Sequence, residues 1–168
     1  MKWTEQLMQS ALTARRNLFD FTAYACVPNV TYGLGYSLNH ECDLLCMSKA
    51  GVLHEVEIKV SKADMRADKR KHYDHWCPLV SFVWFAVPLG LEECALQEVD
   101  NRFGIVVVAD VGNHFSTRVV RRPKHNPIAV KPTPEQREKL LRLGVMRMWS
   151  RRQSTGYQQE AKPETLAI

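Results

Sequence analysis

Asp43, Glu55, Glu57 and Lys59 are the residues whose types and spacing can do chemistry. The segment His54-Glu55-Val56-Glu57-Ile58-Lys59-Val60 alternates polar and apolar side chains strictly. Successive side chains of a strand point to opposite faces, so Val56, Ile58 and Val60 share one face and Glu55, Glu57 and Lys59 the other. Upstream, Glu41, Asp43 and Leu45 share a face by the same rule. Ser48-Lys49-Ala50-Gly51 reads as the tight turn between them, and the resulting hairpin brings Asp43 beside Glu57 and Lys59. Two carboxylates at close range repel unless a cation joins them. Mg²⁺ or Mn²⁺ suits such a pair, because it takes one or two carboxylates, keeps several waters and completes its shell from a phosphate. A lysine on the same face can hold the attacking water or offset charge on the phosphate. Asp43 and Glu57 are thus the expected metal ligands, with Glu41 or Glu55 assisting, and Lys59 the third catalytic residue. Together they equip a strand pair for metal-assisted phosphodiester hydrolysis. The same alternation also describes the solvated face of a hairpin laced with cross-strand ion pairs, and parity alone does not choose between the two.

The segment after the acidic strand narrows the choice. Val60-Ser61-Lys62-Ala63-Asp64-Met65-Arg66-Ala67-Asp68-Lys69-Arg70-Lys71-His72-Tyr73 follows it directly, and Phe85-Ala86-Val87-Pro88 closes the next strand. With Asp43-Leu44 and Glu57-Ile58-Lys59, this succession resembles the PD-(D/E)xK nuclease superfamily, and within it the MmcB-related proteins linked to DNA repair. The resemblance spans residues 23 to 122. It implies a restriction-endonuclease-like α/β sandwich with a central mixed sheet. It implies Mg²⁺- or Mn²⁺-dependent cleavage of DNA in repair, recombination or phage DNA metabolism. Many members carry a further carboxylate on the first helix. Here Glu5, near the helix start, is the only one, and Glu41 is the alternative. Members without catalysis are common in the superfamily, so a silent DNA-binding or interaction module on the same fold is the second expectation.

These residues need elements to position them. Apolar spacing over 4–16 predicts a first helix, with Thr4 as its cap. A short strand follows near 23–30, then a loop through Thr31 to Asn39. Strands are expected at 41–47 and 52–60, a helix at 62–76, and a buried strand at 80–87. A short helix at 91–100, strands at 104–109 and 115–121, a proline-rich connector and a helix from 134 to about 151 complete the order. Helices on both faces of a mixed sheet make an α/β sandwich, here a single domain over 1–152 with a loose polar tail at 153–168.

The helix at 62–76 sets Lys62, Arg66, Lys69 and Tyr73 on one face, with Arg70 adjoining, where they could hold a phosphate backbone. Asp64 reads as a capping residue after Ser61, and Asp68 as a partner for Lys71 or His72. Further basic clusters lie at 118–125 and 142–152. The chain has 168 residues, 23 Lys and Arg against 18 Asp and Glu, and a pI near 9.0. That mild excess permits a polyanionic partner such as DNA without requiring one. Five cysteines stand at 26, 42, 46, 77 and 94 with no C-x-x-C pair. Free thiols of a cytoplasmic protein are the plain reading, and a metal site joining them to His72 and His75 the less favoured one. By parity, Cys42 and Cys46 share a strand face. No apolar run is long enough for a membrane span, and the N-terminus does not look like an export signal.

Overall fold

The computed structural model describes residues 2–31, 38, 40–68 and 75–160, the last ten as helix backbone. The chain runs α1 (Glu5–Thr13), β1 (Tyr24–Val30), β2 (Cys42–Ser48), β3 (Leu53–Ile58), α2 (Lys62–Asp68), β4 (Phe82–Pro88), α3 (Glu92–Glu98), β5 (Gly104–Asp110), β6 (Phe115–Arg121) and α4 (Pro134–Glu160). The six strands form one mixed sheet in sequential order. β3, β4 and β5 are parallel, and the remaining pairs are antiparallel. Parallel neighbours need a crossover, which α2 and α3 supply. Both lie on the same sheet face, where Met65 and Ala95 join Leu45, Leu53, Val83, Phe85 and Leu140 of α4. On the other face α1 sets Met8, Ala11 and Leu12 against Leu44, Val56, Ile58 and Ala86. Helices therefore flank the sheet on both sides, as the element order predicts.

Local chemistry fixes the ends of these elements. The Thr4 hydroxyl accepts from the Leu7 amide and caps α1. The Asp64 amide donates to the Ser61 hydroxyl and the Asp64 carboxylate accepts from the Val60 amide, so Asp64 is spent at the start of α2. Thr133 and Gln136 exchange hydrogen bonds in a capping box at α4. Gly51, at φ 76°, makes the turn between β2 and β3. Among the described residues no helix is long and apolar enough to cross a membrane.

Three expectations differ. α4 continues to Glu160, so helix replaces the expected loose tail as far as 160, while 161–168 lie outside the described residues. α2 is described over Lys62–Asp68, 69–74 likewise lie outside the described residues, and 75–76 are not helical. Parity also fails once. Val27 and Val30 pack in the same core cluster, as do Leu45 and Cys42, whereas Cys46 packs in the other. β1 rotates at Asn29, whose φ is 51°, and in β2, which pairs with it there, the faces change between Cys42 and Leu44, so Cys42 and Cys46 end on opposite faces.

Candidate functional site

The β2–β3 ladder runs from Met47↔Leu53 to Leu44↔Val56, a register that carries Asp43 to a place opposite Glu57. There the backbones part company. The Ile58 amide donates 2.7 Å to Asp43 Oδ2 instead of to a strand carbonyl. Lys59, just past β3, donates its amide to Ala86 O and its ammonium 3.1 Å to Glu57 Oε2. The Lys59 ammonium also lies 5.8 Å from the centre of the Phe85 ring. Asp43, Glu57 and Lys59 thus converge where β3 ends, at the carboxyl edge of the parallel strands. Open α/β sheets bind ligands at that edge.

The arrangement is buried, not a solvated face. Glu55 is 0 %, Glu57 1 % and Lys59 3 % exposed. α2, α3 and α4 cover this side of the sheet, so polar side chains that parity assigns to one face are enclosed with the core. Burial, and then repulsion from Glu57, push the Asp43 carboxyl up to about 7, against the Ile58 amide and Lys59. Burial raises Glu57 as well, with Lys59 opposing and Glu55 reinforcing the rise. Glu57 Oε1 is buried without a hydrogen-bond partner among the described residues.

Behind this edge lies a second set of polar groups that sequence reasoning did not assemble. His40 Nε2 lies 2.6 Å and His75 Nδ1 3.0 Å from Glu55 Oε1. The two rings stand perpendicular, 5.0 Å between centres. One ligand atom each from His40, Glu55, Glu57 and His75 lies within 4.8 Å of every other, and all four residues are buried. Burial works against an ionised Glu55, but the two imidazoles outweigh it and hold the carboxyl below its ordinary value. The buried Cys42 thiol lies against Glu55 and near Cys77, and burial raises both thiols. The signal was available in principle: His40-Glu41-Cys42 and His75-Trp76-Cys77 repeat one His-x-Cys spacing.

The other expected residues divide as follows. Glu55 is central rather than auxiliary. Glu41 is exposed ahead of β2 and is not one of the buried His–Glu cluster. Glu5 reaches the site after all. It raises Asp43 electrostatically, and Gln9 Nε2 donates both to Glu5 Oε1 and to the Asp43 carbonyl. Lys62 and Arg66 are exposed, Arg66 within 3.8 Å of Glu98. Lys69, Arg70 and Tyr73 lie outside the described residues. Arg121 is turned inward, donating to the carbonyls of Val99, Asp100 and Phe103.

A cavity of about 300 Å³ opens at the opposite end of the sheet, lined by Leu18, Tyr24, His54, Phe82 and Trp84 among others. Burial pushes His54 down to about 4, and its Nδ1 accepts from the Trp84 indole. It brings no carboxylate and no second imidazole, so it offers packing rather than chemistry.

Compared by sequence, the chain matches no family model and no curated protein. Compared by structure, it is similar to a protein of unknown function from Silicibacter pomeroyi. The TM-score is 0.59 at 18 % identity, over 98 % of this chain and 99 % of the other. At that identity the likeness shows a shared fold.

Proposed function

We propose that the protein is a metal-dependent DNA phosphodiester hydrolase of the PD-(D/E)xK type, acting at the Asp43–Glu57–Lys59 edge on a restriction-endonuclease-like fold. The observation that carries this reading is the pair of facing carboxylates, both raised by burial, beside a buried lysine at the end of β3. A fold gains nothing from burying two acids against each other unless a cation or proton joins them. Glu57 Oε1, buried and without a hydrogen-bond partner among the described residues, would supply a ligand atom to such a cation. Asp43 and Glu57 would hold Mg²⁺ or Mn²⁺, with Glu5 close to Asp43. When bound, the ion supplies Lewis-acid polarisation of the phosphate and a more acidic water.

The protein's own groups do the rest. The Ile58 amide fixes Asp43 Oδ2 and thereby orients the carboxylate. Lys59 neutralises Glu57 and would offset negative charge developing on a phosphate brought to this edge. Exposed Lys62 and Arg66 on α2, with Lys69, Arg70 and Tyr73 following in sequence, would hold the DNA backbone.

One observation favours a second reading. Glu57 and Lys59 are almost wholly buried, so the pair could serve as a structural ion pair in a silent DNA-binding module. Cleavage assays separate the two. Purified protein is incubated with single-stranded, nicked, branched and duplex DNA in Mg²⁺ or Mn²⁺. Cleavage of one substrate that stops in EDTA is expected. Binding in EDTA with no cleavage of any substrate would put the silent module first.

A further inference from the structure

We propose that the pocket behind the hydrolytic edge is a second metal site, built for a divalent transition ion of the zinc class. Its ligands are His40 Nε2, His75 Nδ1 and Glu55, with Glu57 at its outer boundary. This goes beyond the hydrolytic reading and does not depend on it.

The donor set sorts the ion. Mg²⁺ prefers oxygen ligands and keeps its waters, whereas imidazole suits zinc and its neighbours. Two imidazole nitrogens converge here on one carboxylate oxygen, at 2.6 and 3.0 Å. The four ligand atoms already lie within 4.8 Å of one another, so an ion that parts the two imidazoles from Glu55 Oε1 and draws in the wider pairs would complete a coordination shell.

Hydrogen bonding alone leaves the pocket unsatisfied. His40 and His75 both approach Glu55 Oε1, while Glu55 Oε2, in a residue 0 % exposed, has no hydrogen-bond partner among the described residues. Two acids and two imidazoles in one dry pocket are high-stakes unless every lone pair is used. A cation among them takes lone pairs from both rings and from Glu55 at once.

Burial also assigns the role. A catalytic metal keeps an open position for water or substrate, and a structural one is closed by protein. His40 is 7 % and His75 6 % exposed, which closes the pocket. Asp43, half-buried at the edge, holds its carboxylate on the Ile58 amide and belongs to the other site. The ion would tie the segment before β2 to the segment before β4 across β3. The two His-x-Cys stretches enter from opposite sides of that strand.

The test reads metal content. Untagged protein is purified without chelator, exchanged into excess Mg²⁺ and analysed for elements. About one zinc per chain is expected in wild type and in Asp43→Asn, and at least a tenfold loss in His40→Ala/His75→Ala. Because that double variant could misfold, wild type stripped with a chelator is also titrated with Co²⁺. A visible four-coordinate Co²⁺ band saturating at about one equivalent, and erased by Zn²⁺, is expected. Chelation should lower the melting temperature by on the order of 10 °C. Wild type with under a tenth of an equivalent of zinc and no visible Co²⁺ band would overturn the proposal. Loss of the ion in Asp43→Asn would overturn it too, because the metal would then belong to the edge. None of these readouts uses cleavage, so a failed nuclease assay leaves them untouched.

Discussion

The two faces of β3 are equally buried and chemically opposite. Val56 and Ile58 are 0 % and 4 % exposed among the aliphatic side chains of α1, β2 and β4. Glu55 and Glu57 are 0 % and 1 % exposed on the other face. The first face needs no explanation beyond apolar burial. The second costs stability, because each buried charge must be compensated by a partner in the fold or by an ion. A chain that spends this much on one face of one strand has a use for the charges. The comparison also shows why alternation misleads: in a parallel sheet covered on both sides, a polar face is not a wet face.

The largest expected effect breaks the charged face. Lys59→Ala leaves Glu57 buried without its ammonium, and we expect a loss of about 3–5 kcal/mol in chemical denaturation. Val56→Ala, on the other face of the same strand, should cost on the order of 2 kcal/mol through lost packing. Equal small losses at both positions would mean the charges are better hydrated than their burial indicates. Cleavage should fall by a factor on the order of 100 in Lys59→Ala protein that is still folded.

The next effect is pH-dependent. Asp43 is raised in the folded state to about 7 from an ordinary value of 3.8. A carboxyl raised on folding destabilises once it must ionise. Its penalty is absent below pH 4, grows between 4 and 7 and is complete above 7. Metal-free Asp43→Asn should therefore be more stable than wild type at pH 8, by on the order of 2–4 kcal/mol, and should converge on it near pH 4. The difference curve isolates Asp43 from His54, whose lowered pKa acts in the opposite direction over the same range. A difference that does not vary with pH would mean Asp43 is not strained by its neighbours.

How much of this was legible in the sequence follows from how far apart the residues lie. Asp43, Glu57 and Lys59 sit on adjacent strands joined by a four-residue turn, so parity and register sufficed to bring them together. His40 and His75 lie on either side of β3 and meet only because the β3–β4 connection crosses over to a parallel strand. That juxtaposition is tertiary, and only the repeated His-x-Cys spacing hinted at it. The reversal of faces at Asn29 was equally hidden, since a left-handed residue inside a strand breaks the rule by which faces are read. The roles of Arg121 and Glu5 also depend on contacts with α3 and α1 that no local pattern records.

The smallest effect concerns the surface of α2. Arg66 pairs loosely with Glu98 and is 67 % exposed, so Arg66→Glu should change stability by no more than about 0.5 kcal/mol. It should still weaken DNA binding and flatten its salt dependence by about one unit of slope if Arg66 meets a phosphate. An unchanged slope would move the DNA surface away from α2.

The central claim is that Asp43 and Glu57 face each other in order to share a cation, and thermal unfolding with and without Mg²⁺ tests it most directly. At pH 8, millimolar Mg²⁺ or Mn²⁺ should raise the melting temperature of wild type by several degrees, because the bound ion relieves the carboxylate repulsion. Asp43→Asn, which starts more stable, should show no shift. An equal shift in both proteins would place the ion elsewhere and contradict the account.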